Sequence, residues 1–88
     1  MKTVEITKIV KQAIEKRNIK MFAHYNDKCK SYRRIKYAYF GYVSEKTQIS
    51  LVRSIKRRLS TAVISVESYK GSMYGYGYSA IIVKTKTN

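Results

Sequence analysis

Apolar residues recur at two different periods along this 88-residue chain, and the switches between them divide it into six elements. From Thr3 the spacing is helical: Ile6, Ile9, Val10, Ala13 and Ile14 fall on one stripe of a 3.6-residue turn. Thr3 is placed to cap that helix, Glu5 lies in its first turn where the helix dipole favours an acid, and Asn18 suits a left-handed stop. Ile19 to Tyr25 then reads as a strand, and the polar, lysine-rich run from Asn26 to Ser31 as a hairpin loop. Tyr32 to Val43, dense in aromatic and β-branched residues, is a second strand. Ser44, with Glu45 behind it, starts a second helix whose stripe is Ile49, Val52, Ile55 and Leu59, widened by Leu51. Val63 to Tyr69 is a third strand, Lys70-Gly71-Ser72 its turn, and Met73 to about Thr85 a fourth.

The order α-β-β-α-β-β places the chain in the α+β class. Two helices with one-sided stripes must both bury them, and a four-stranded antiparallel sheet with both helices packed on one face does so. Such a sheet leaves its other face to solvent or a partner. A shift of 42 residues superposes Val10 on Val52, Lys28 on Lys70, Tyr32 on Tyr74 and Ala38 on Ala80. The chain therefore reads as a single small domain built from tandem αββ halves, residues 3–43 and 44–85.

Charge narrows the function. Nineteen Lys and Arg stand against five acids, a net charge of +14 that repels itself unless something anionic screens it. With a pI near 10.1, nucleic acid or an acidic nucleoprotein complex is the expected partner. The cations concentrate in the first hairpin (Lys28, Lys30, Arg33, Arg34) and the second helix (Arg53, Lys56, Arg57, Arg58), with Lys46 on the same side of that helix. Lys28, Lys30, Arg33, Arg34, Arg53, Lys56, Arg57 and Arg58 are the candidates for phosphate contacts.

Nine tyrosines accompany that charge. Strand alternation from Met73 puts Gly75, Gly77, Ser79, Ile81 and Val83 on one face and Tyr74, Tyr76, Tyr78, Ala80 and Ile82 on the other. Glycines let a helix approach closely, so the tyrosines are expected on the open face, available to stack on bases. The run Tyr37-Ala38-Tyr39-Phe40-Gly41-Tyr42 resembles the second half of the aromatic signature strand of RNA-recognition-motif domains, matching at Tyr37, Ala38, Tyr39 and Tyr42 and departing at Ile35 and Lys36. That resemblance implies a permuted version of their βαββαβ fold, with Tyr37 and Tyr39 stacking on bases. A second likeness covers roughly residues 2 to 55. Lys2-Thr3-Val4-Glu5-Ile6, Lys8-Ile9-Val10-Lys11 and Lys20-Met21-Phe22, followed by a basic hairpin and a second helix, look like the large polyvalent protein-associated domains of phages and other mobile elements. It implies a mobile-element origin and a role in host takeover or counter-defence, and it transfers no site residues.

Enzyme chemistry has little to stand on. His24 is the sole histidine, and the acids Glu5, Glu15, Asp27, Glu45 and Glu67 are scattered rather than paired for general acid and base work. No metal-ligand spacing occurs, and Gly71-Ser72-Met73-Tyr74-Gly75 lacks the Lys and hydroxyl of a phosphate-binding loop, so no cofactor or metal is expected. Cys29 is the one cysteine, read as an inert loop residue of a reducing cytoplasm. Lys and Arg interrupt every apolar run, so no membrane span is expected. The leading expectation is a non-enzymatic, cytoplasmic nucleic-acid-binding module. Its rivals are a mobile-element inhibitor of the anti-CRISPR type that binds a host nuclease complex, and a homo-oligomer, such as a homodimer, joined through Tyr74, Tyr76, Tyr78 and Ile82.

Overall fold

In the computed structural model, which describes residues 2–41, 43–59 and 63–86, the order is the expected one: α1 (Thr3–Glu15), β1 (Met21–Lys28), β2 (Tyr32–Phe40), α2 (Glu45–Arg58), β3 (Val63–Met73) and β4 (Tyr76–Lys86). α1 buries Ile6, Val10, Ala13 and Ile14 and gives way to Asn18 at φ 59°. Its N-cap is Lys2, with no side-chain cap, rather than Thr3. Thr3 is already helical, and its hydroxyl accepts a hydrogen bond from Arg33 Nη1 at 3.0 Å. Ser44 does cap α2, accepting from the Thr47 N–H at 3.3 Å.

The stripe of α2 is rotated from the expected one. Gln48, Leu51, Ile55 and Leu59 are buried, whereas Ile49 is 47% exposed. The reason is a polar anchor: Tyr39 donates its hydroxyl hydrogen to Gln48 Oε1, and Gln48 Nε2 donates to the Tyr69 carbonyl at 3.5 Å. A buried amide with both ends satisfied can replace an aliphatic side chain in a core.

The strands form one antiparallel sheet in the order β1-β2-β4-β3. Both helices lie on one face of it. Their buried residues join Ile35, Tyr37 and Tyr39 of β2, Val66 of β3, and Ile81 and Val83 of β4 in a single core. α1 lies nearest β1 and α2 nearest β3. Buried Ser79 ties the exit of β2 to α2, donating to the Gly41 carbonyl at 2.9 Å and accepting from the Val43 N–H at 3.0 Å.

The 42-residue offset reappears in the geometry. It relates Thr3 to Glu45 and Met21 to Val63, where the two helices and the two edge strands begin. Both edge strands carry an irregularity at equivalent places, Met21/Ala23 and Val63/Ser65. Ala38 pairs with Ala80 across the centre of the sheet, the register that a local twofold axis through this pair requires. The hairpins break the equivalence. Ala23 faces Ala38, but Ser65 faces Lys84 instead of Ala80.

The turn between β3 and β4 is also displaced from the expected Lys70-Gly71-Ser72, which lies inside β3. The turn residues are Tyr74 (φ 53°) and Gly75 (φ 81°), the positive values at both centres that a two-residue type I′ hairpin demands. Gly71 is small for another reason: a Cβ there would come within 2.8 Å of the Tyr69 ring and 2.9 Å of the Tyr78 ring. Met73 therefore pairs with Tyr76 and shares the tyrosine face, and Tyr74 belongs to no strand.

Candidate nucleic-acid interface

The first tyrosine cluster is inside the molecule. Tyr37 and Tyr39 are fully buried, correcting the stacking role expected of them. They share a strand face with Ile35, and the helices cover that face. The Tyr37 hydroxyl lies 3.0 Å from Thr7 Oγ1, and Tyr39 is bound to Gln48. Burial raises the Tyr37 phenol and pushes Tyr39 up to about 12, in each case against the lowering effect of its hydrogen bond. Tyr42 lies outside the described residues.

The second cluster is on the open face, as alternation predicts for Tyr76 and Tyr78. Tyr76 is 78% exposed, and Tyr74, at the hairpin tip, 93%. Tyr78 is half-buried at the centre of an aromatic group: Phe22 meets it edge-on at 6.4 Å and Tyr69 tilts against it at 6.0 Å. Lys36 Nζ donates to the Tyr78 hydroxyl at 2.6 Å and lies 4.5 Å and 4.8 Å from the Tyr69 and Tyr78 ring centroids. Ile82, in register between Lys36 and Glu67, is only 5% exposed, so the apolar residue on the tyrosine side is covered within the chain. A groove of about 540 Å³ opens at the tip, floored by Phe22, Met73, Tyr74, Tyr76 and Tyr78. No periodicity along the chain groups Phe22, Tyr25 and Tyr69 with these tyrosines. The bulge in β1 and the cross-strand register bring them there.

The cations of the first hairpin disperse. Lys28 and Lys30 are exposed, at the end of the sheet remote from the Tyr74 tip. Arg33 turns toward α1 and Thr3, while Arg34 lies on the open face with Asp27 Oδ2 at 4.0 Å. The expected contact set thus splits between two faces.

The α2 cations do gather. Arg53, Lys56 and Arg57 are exposed, and Arg58 reaches Gln12 Oε1 of α1 at 3.0 Å. Lys46, Arg53 and Arg57 stand one above another on the helix surface, since the intervals of seven and four residues return to one side. A groove of about 440 Å³ runs along them, lined also by Ile49, Ser50, Ser54 and Arg17. Arg17 escaped the sequence reading because it follows α1. Packing of α1 on α2 places its guanidinium against Ser50 Oγ at 3.0 Å, while its other nitrogen donates to the Ala13 carbonyl at 3.0 Å. Four cations and two hydroxyls line this groove without an acid. Guanidinium groups in such a setting can bind anionic oxygens bidentately.

The α2 groove and the tyrosine groove lie on opposite sides of the sheet. Among the described residues no group of three or more His, Cys, Asp or Glu could hold a metal ion, and no helix is long and apolar enough to cross a membrane. No protein-family model, curated protein or solved structure matches this chain.

Proposed function

We propose that this protein is a non-enzymatic nucleic-acid-binding module that grips the phosphate backbone through the α2 groove. One observation carries the reading: the two helices occupy equivalent places in the fold and differ in charge. α1 sets Lys8 and Lys11 against Glu5 and Glu15, and Lys11 Nζ lies 3.9 Å from Glu15. α2 has one acid, Glu45 in its first turn, and then Lys46, Arg53, Lys56, Arg57 and Arg58. A helix that needed only solubility would be served by the balanced pattern of α1. Several like charges on one face repel each other, and an anion laid along them removes that cost. Ser50 and Ser54 add hydroxyl donors of the kind that position phosphate oxygens without reading sequence.

The test is a pair of charge reversals compared at one salt concentration. Arg53→Glu/Arg57→Glu should lower affinity for nucleic acid at least tenfold, by removing two contacts and adding repulsion. Lys8→Glu/Lys11→Glu changes the net charge equally but lies on the outer side of α1, and should change affinity less than threefold. Equal losses in the two variants would show that total charge, not the α2 groove, is responsible.

A further inference from the structure

We propose that the open face of the sheet is a track for single-stranded nucleic acid, whose unpaired bases stack on its tyrosines. The inference rests on the phosphate-binding reading above and names the form of nucleic acid that the second face takes. Rings and cations alternate along it. At one end Lys84 Nζ lies 5.6 Å from the Tyr32 ring, in the middle Lys36 lies between Tyr69 and Tyr78, and at the far end the exposed rings of Tyr74 and Tyr76 flank the tip groove. A single strand offers the complementary alternation of flat base and charged phosphate. The eleven residues of β4 extend about 35 Å, enough for several nucleotides.

Charge selects this occupant over others. Arg34, Lys36, Lys84 and Lys86 share the face with two acids, Asp27 and Glu67, and Asp27 is already partnered by Arg34. A second copy of the chain docking face to face would bring those four cations against the same four. A duplex keeps its bases paired and stacked inside, so it cannot present their flat faces to the rings. Tyr74 supports a ligand independently. At φ 53° in a type I′ turn, Asn or Asp is favoured and a bulky side chain is strained, yet a tyrosine stands there with its ring 93% exposed.

The chain has no tryptophan, so its intrinsic fluorescence is tyrosine fluorescence and reports stacking directly. The experiment titrates the protein with a thymidine oligonucleotide of about ten residues and with duplex DNA of equal length, following emission and affinity. The oligonucleotide should quench the emission, and Tyr74→Ala/Tyr76→Ala should weaken its binding about tenfold while leaving duplex affinity unchanged. Tyr76→Phe should retain binding, since the ring and not the hydroxyl stacks. Both side chains are largely exposed, and circular dichroism verifies that the variants fold. If the alanine pair binds the oligonucleotide as well as wild type does, or loses duplex and single strand equally, the track is wrong. It is equally wrong if light scattering finds a dimer that the alanine pair dissociates. If Arg53→Glu/Arg57→Glu still abolishes binding in any of these cases, the phosphate-binding reading stands alone. A wild-type protein that binds neither nucleic acid overturns both.

Discussion

The buried phenols of Tyr37 and Tyr39 give this protein an alkaline limit. Both stay neutral in the fold, with Tyr39 pushed up to about 12, whereas in the unfolded chain they titrate near 10. A raised acid of this kind leaves stability intact below about pH 10 and removes it as the pH climbs toward 12. Urea unfolding followed by circular dichroism should show that loss. A Tyr37→Phe/Tyr39→Phe variant should lose less over the same interval, although it starts roughly 1–3 kcal/mol less stable because Gln48 Oε1 and the Thr7 hydroxyl lose their phenol partners. Every other ionisable group is common to both proteins, so the difference between them isolates the phenols. The burial of these rings was legible in the sequence. Arg34 and Lys36 alternate with Ile35, Tyr37 and Tyr39, and charged side chains claim the wet face of a half-covered strand. The likeness to an aromatic signature strand implies exposed rings and conflicts with that phase.

At the scale of elements, the β3–β4 hairpin shows what pattern alone leaves open. The pattern puts Gly71 in the turn and Gly75 in the fourth strand, whereas Gly75 makes the turn with its φ of 81° and Gly71 is a glycine because of the rings above it. Choosing between them requires the pairing of Met73 with Tyr76, a tertiary fact. Tyr74→Asn places the favoured residue at a left-handed position and should stabilise the hairpin by a few tenths to about 1 kcal/mol in thermal unfolding, while weakening single-strand binding. A gain in both properties would show that the tyrosine is kept for some other purpose. Ser44→Ala removes the one side-chain cap seen on the two helices and should cost about 1 kcal/mol by the same measurement. The helix positions themselves are legible, because a 3.6-residue stripe over thirteen or fourteen residues is a strong signal. The rotation of α2 was not readable, since it depends on Gln48 meeting Tyr39 across the core.

On the scale of the whole molecule, the two αββ segments share a frame and differ on their surfaces. The shared offset of helix starts, edge-strand irregularities and the Ala38–Ala80 pair holds the frame, while the unequal hairpins carry the tyrosine tip beyond the local twofold. The α2 groove likewise combines residues that no linear motif links, Arg17 from the end of α1 with Lys46, Arg53 and Arg57. Composition raises the expectation of an anionic partner, and packing adds which cations line one groove. The most direct test of that claim is the affinity for duplex DNA measured across a range of salt concentrations. If these four cations each neutralise a phosphate, the logarithm of the affinity should fall with the logarithm of salt with a slope of about −3 to −4, so that doubling the salt weakens binding roughly tenfold. Arg53→Glu/Arg57→Glu should flatten the slope by about 2. An affinity that does not change with salt, or a slope that the charge reversal leaves untouched, would contradict the account.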